Sequence, residues 1–135
     1  QLILFSPPFP LNAKKKYGNK LGEEYKKWLS DLAPLFTKLL KKDGSIVVEM
    51  GNAWEPKRPV QALLSMESLI AFLNNPKADL RLCQEFICYN PSRLPLIEYA
   101  QLIVIRMFGG WPNQISQKQT IARFSDLIAR VCSSF

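Results

Sequence analysis

Residues 22–51 read GEEYKKWLSDLAPLFTKLLKKDGSIVVEMG, and this stretch sets the architecture. Tyr25, Trp28, Leu29, Leu32, Leu35, Phe36, Leu39 and Leu40 recur at the i, i+3, i+4 spacing, which predicts an amphipathic helix over 22–41. Glu23 and Glu24 suit its positive amino end, and Lys41 and Lys42 its negative carboxyl end. Pro34 has no N–H to donate and is expected to kink or restart the helix. Asp43-Gly44 then stops the chain, and Ser45–Met50 is rich in β-branched residues, the mark of a strand that ends at Gly51.

Working outward, the same alternation continues. Leu2–Phe5 is a short apolar run ended by prolines, read as a buried strand that empties into a loop over residues 6–20. Beyond the polar loop 51–58, Pro59–Leu73 predicts a second amphipathic helix with Pro59 near its first turn. Leu82–Tyr89 and Leu102–Met107 predict two further strands, and Ala122–Cys132 a carboxyl-terminal helix. The order strand, helix, strand, helix, strand, strand, helix predicts a single α/β domain over 1–135, with a mostly parallel sheet and flanking helices. In such sheets ligands lie beyond the carboxyl ends of strands. Two of those ends are unusual here: Ser6-Pro7-Pro8-Phe9 and Gly51-Asn52-Ala53-Trp54.

Composition removes several function classes. The chain has 135 residues, of which 47% are hydrophobic and 21% charged, as expected of one globular domain. It has no histidine, which excludes Ser-His-Asp and Cys-His catalysis and His-ligated metals. Three cysteines without CxxC spacing offer no zinc site and no disulfide framework, so a reduced, cytoplasmic setting is expected. Cys83 and Cys88 read as small core residues. No apolar run is long enough to cross a bilayer, so no membrane partner is expected. The opening QLILFSPPFP lacks the basic region and cleavage site of a secretory signal, and without an initiator Met it reads as a trimmed or excised segment.

Charge is unevenly placed. The chain carries a formal net charge of +7, and residues 1–42 hold nine lysines against only three acids, a surplus of six. Lys14, Lys15, Lys16 and Lys20 stand just after the Ser-Pro-Pro-Phe turn, where a polyanion would meet them; a solvated loop would have the same composition.

Ser6-Pro7-Pro8-Phe9 resembles the catalytic motif of DNA amino-methyltransferases, a Ser, Asp or Asn followed by Pro-Pro and an aromatic residue. The resemblance continues in order through PLNAKKKYGN, APLFTKLLKKDGSIVVEMGNAWEP and QEFICYNPSRLP, covering about residues 2–95. It implies the Rossmann-like, S-adenosylmethionine-dependent methyltransferase fold, here partial or truncated. It also implies methyl transfer to the exocyclic amino group of a base flipped out of double-stranded DNA. The initial Ser favours cytosine-N4 over adenine-N6.

The resemblance gives the residues their roles. Ser6 and the Pro7 carbonyl would accept the two amino N–H groups, Pro8 would stiffen the turn, and Phe9 would stack on the base. Lys14, Lys15, Lys16 and Lys20 would meet phosphates, and Asn52, Trp54 and Tyr89 would line the pocket. The family's Phe-x-Gly-x-Gly cofactor turn does not occur in these residues. S-adenosylmethionine is therefore expected for a complete enzyme in which this chain is the catalytic half, complemented by a second half or a homodimer. The other expectation is a non-catalytic relative that binds nucleic acid or dimerises. The segments around 95–97 and 107–112 look shortened against the family pattern.

Overall fold

The computed structural model describes residues 1–8, 14–16, 18–51, 55, 57–58, 60–89, 99–107 and Ala129. Strand β1 (Leu2–Phe5) leads through helix α1 (Gly22–Leu39) to β2 (Ser45–Gly51), then through α2 (Leu64–Leu73) to β3 (Leu80–Tyr89) and β4 (Tyr99–Met107). The four strands form one sheet in the order β1-β2-β4-β3. β1 pairs parallel with β2, Leu2 opposite Ser45 and Phe5 opposite Val48.

The α/β class holds, but the sheet is mixed where a mostly parallel one was expected. β4 lies between β2 and β3 and runs antiparallel to both. Antiparallel neighbours need only a short link, whereas a parallel pair needs a crossover of a dozen residues or more, usually a helix. Residues 90–98 between β3 and β4 leave no room for one. Two further expectations shift. Helix α2 begins at Leu64 and not at Pro59, because the Glu55 N–H donates to the Val60 carbonyl at 2.8 Å and Gln61 lies in a bridge, which keeps this stretch extended. Cys83 is half-buried and not in the core, because it is the extra residue of a register shift between Leu82 and Gln84. The expected helix over 122–132 lies outside the described residues except Ala129, which is helical.

Both helices pack on one face of the sheet. Their core joins Tyr25, Leu29 and Ala33 of α1 and Phe72 of α2 to Ile46, Val48 and Met50 of β2 and Ile103 and Ile105 of β4. Phe5 stacks on Phe36 with ring centroids 4.4 Å apart, and Phe72 meets Phe36 edge-on at 6.0 Å. Three aromatic rings thus clamp the end of β1 to both helices. Gly44 closes the turn into β2: a Cβ there would meet Leu40 Cδ1 at 2.6 Å and the Lys41 carbonyl oxygen at 2.9 Å. Among the described residues no helix is long and apolar enough to cross a membrane.

Pro34 neither breaks nor restarts α1, which runs unbroken from Gly22 to Leu39. A proline leaves the carbonyl four residues earlier without its helical donor. Here that carbonyl belongs to Ser30, and Asn75 Nδ2 donates to it at 2.8 Å from beyond the end of α2. The Ser30 hydroxyl in turn donates to the Ala71 carbonyl at 2.9 Å. A tertiary contact supplies what the sequence took away. Asn75→Ala should therefore lower stability by about 1–2 kcal/mol in urea denaturation. The loss should shrink in a Pro34→Ala background, where the restored N–H can reach Ser30.

Candidate active site

The parallel register brings two chain turns side by side. Ser6 stands one residue past the Phe5–Val48 pair, level with Glu49, and Gly51 ends β2 at the same edge of the sheet. Ser6 and Pro8 are exposed, while the ring of Pro7 is buried between them. Neither proline has an N–H, so the turn can be held only through its carbonyls and its packing.

The hydroxyl of Tyr25 holds it. Tyr25 sits in the first turns of α1, only 2% exposed, and donates to the Pro8 carbonyl at 2.6 Å. Its ring leans on Trp28, centroids 5.5 Å apart and planes tilted by 50°. Burial pushes its phenol up to about 12. Sequence periodicity marks Tyr25 as a core position and no more. The available signal is chemical: a buried tyrosine on an apolar helix face needs a partner for its hydroxyl, and the polar turn after β1 is the nearest source. Glu49 was passed over in the same way. It is the one buried acid among the described residues, 6% exposed, and it shares its strand with one other buried polar residue, Ser45.

The lysines divide into two groups. The Lys15 N–H donates to Asn19 Oδ1 at 2.6 Å, and the Gly18 N–H to the Lys15 carbonyl at 3.0 Å. Gly18 takes φ +78°, a conformation that favours glycine, to close this turn. The turn presents Lys14, Lys15 and Lys16, all exposed and, among the described residues, in no ion pair. Lys20 instead binds Glu24 at 2.7 Å, and that bond holds the Glu24 carboxyl below the usual range, with Lys14 adding to the effect. Lys26 pairs with Glu23 and, at 3.0 Å, with Glu67, which raises its ammonium, and Lys27 pairs with Asp31 at 2.7 Å. Acids of α1 therefore pair with Lys20, Lys26 and Lys27, and the turn before the helix is left positively charged.

Of the other predicted site residues, Phe9, Asn52 and Trp54 lie outside the described residues. Tyr89 ends β3 opposite Tyr99, at the same end of the sheet as Ser6. It is three strands away, roughly 14 Å at about 4.8 Å per strand. An open cleft of about 590 Å³ between Thr37, Asn75, Lys77, Asp79 and Arg81 lies at the amino end of β3, opposite the Ser6 turn. No group of three His, Cys, Asp or Glu among the described residues could hold a metal ion.

Two known proteins are similar to this chain over part of their own length. The chain is 37% identical over 94 residues, 70% of its length, to the type II methyltransferase M.PvuII of Proteus hauseri. A solved structure of the cytosine-N4-specific PvuII DNA methyltransferase superposes with a TM-score of 0.62 at 29% identity, covering 82% of this chain. The chain spans 27% of the first relative's length and 43% of the second. No family model matches. The likeness is thus to a DNA methyltransferase, matched over part of its length.

The Tyr25 contact has a pH signature. Between its usual value of 10.0 and about 12, the unfolded chain loses the phenol proton and the folded chain keeps it. The stabilisation is therefore complete below pH 10 and is lost as pH rises towards 12. Denaturant midpoints should fall more steeply over that window in the parent protein than in Tyr25→Phe.

Proposed function

We propose that this chain is the target-base half of a DNA amino-methyltransferase, with the amino group at N4 of cytosine favoured over N6 of adenine. The observation that carries the reading is the Ser6-Pro7-Pro8 turn at the carboxyl end of β1, in a chain 37% identical to a type II methyltransferase. The serine at its head and the cytosine-N4-specific neighbour both support the choice of cytosine.

The chemistry requires little more than such a turn. An exocyclic amino nitrogen is a poor nucleophile because its lone pair is delocalised into the ring. Ser6 Oγ and the Pro7 carbonyl accept its two N–H groups, which localises the lone pair on nitrogen. The prolines fix φ, so the acceptors stay in position at no cost in side-chain entropy. Phe9 supplies a flat apolar face for the flipped base, and Asn52, Trp54 and Tyr89 wall the pocket. Lys14, Lys15 and Lys16 meet the phosphates, and Lys20 can join them by exchanging Glu24 for phosphate.

S-adenosylmethionine supplies the methyl group. The turns after β1 and β2 read Ser-Pro-Pro and Gly-Asn-Ala, and neither is the glycine-rich turn of the family's donor site. The donor site is therefore assigned to a complementing half or a partner chain, with residues 1–135 acting as one domain. An enzyme of this type works on chromosomal DNA in the cytoplasm. A second reading is a non-catalytic relative that binds nucleic acid through its exposed, basic Lys14–Lys16 turn.

The test uses the full-length gene product, S-adenosylmethionine and unmethylated genomic DNA, with the methylated nucleosides identified by mass spectrometry. N4-methylcytosine is expected, and N6-methyladenine alone would reverse the base assignment. Ser6→Ala should fold normally and lose about 10²-fold or more in rate, the cost of removing one preorganised polar contact. A wild-type rate in that variant would remove Ser6 from the mechanism. Replacing Lys14, Lys15 and Lys16 together with Ala should flatten the dependence of log K on log salt by about 2–3.

A further inference from the structure

The Ser-Pro-Pro turn presents its two acceptors in a fixed direction although it lacks most of the usual means of being held. Two consecutive residues carry no N–H. The strand ladder ends at Phe5. Ser6 and Pro8 are exposed, and only Pro7 is packed inward. Upstream, the turn is anchored through Phe5, locked between Phe36 and Phe72. Downstream, Tyr25 is the described side chain that grips it, at 2.6 Å.

We propose that Tyr25 is a positioning residue for methyl transfer: its hydroxyl, donating to the Pro8 carbonyl, fixes the direction in which the Pro7 carbonyl and the Ser6 hydroxyl present themselves to the target amino group. This rests on the function proposed above. Between the two anchors, φ is frozen at both prolines, so the soft rotations left are those of Ser6 and the ψ angles of Pro7 and Pro8. Pinning the Pro8 oxygen closes the span at both ends and couples these rotations, so the Pro7 carbonyl cannot swing without breaking the bond. An acceptor aimed at an N–H works only within a narrow cone, and misalignment weakens it steeply. The anchor is itself rigid: the ring is buried and wedged against Trp28, on a helix bound to the sheet by the whole core. The phenol keeps its proton across the range in which such an enzyme works, so it remains a donor.

The decisive variant is Tyr25→Phe in the full-length protein, because it keeps the ring and removes only the hydroxyl. Single-turnover methylation of genomic DNA should slow about tenfold. DNA affinity and the KM for S-adenosylmethionine should stay unchanged, and the melting temperature should stay within a few degrees of the parent. A structural role alone would not separate rate from binding in this way. A wild-type rate in Tyr25→Phe, with Ser6→Ala inactive, overturns the positioning role and leaves the proposed function standing. Parallel losses of rate, DNA binding and melting temperature also overturn it, because they mark Tyr25 as a fold residue. If the parent protein makes no methylated base at all, the function itself falls, and this inference falls with it.

Discussion

Two strands that run the same way cannot be joined by a tight turn, and the parallel pairing of β1 with β2 imposes this constraint on everything around the turn after β1. The chain must return from Phe5 to Ser45 across the face of the sheet, and α1 is that return. With 18 residues the helix is about 27 Å long, whereas the seven residues of β2 cover about 23 Å. The helix therefore spans the full height of the strand it packs on, and its first turns stand beside the loop at the top. Tyr25 reaches Pro8 because the crossover has no shorter route. The same path places the Lys14–Lys16 turn just ahead of the helix, so acceptors and cations share one end of the sheet.

The elements legible from sequence are those with a strong local period. β1, α1 and β2 fall within two residues of the reading, because apolar spacing and the Asp43-Gly44 stop are local facts. Elements that depend on partners are not legible in this way. Strand direction in β4 is a property of pairing, and LIVIRM has the same composition whichever way it runs. Residues 60–63 have a helical pattern, but the Glu55–Val60 backbone bond and the bridge at Gln61 hold the start of this stretch out of the helix. At the site, the Ser6 turn and the exposed lysines were visible as motif and charge. The Tyr25 contact was not, because it joins positions 17 residues apart through a backbone carbonyl, which carries no sequence signature. By composition Lys20 is equivalent to Lys14–Lys16, but in the fold it is paired with Glu24, four residues further on.

The mixed sheet also bears on the site. Because β4 is antiparallel, its amino end and the carboxyl ends of β1, β2 and β3 all lie at the same edge, with Gly51 opposite Ala100 and Tyr89 opposite Tyr99. The ends of three strands and the start of a fourth therefore share one edge of the sheet. A wholly parallel sheet would bring in only strand carboxyl ends; here a strand start contributes as well.

Pro34 gives α1 and the residues after α2 a shared fate. In an ordinary helix each turn can fray and reform using its own hydrogen bonds. Here one carbonyl of α1 depends on Asn75, and the adjoining hydroxyl is spent on Ala71. The middle of the crossover helix cannot open as an independent unit without releasing the end of α2, so the two belong to one cooperative block of local unfolding. Native-state exchange rates of the amides around Ser30 and Ala71 are thereby coupled across a sequence gap of 41 residues.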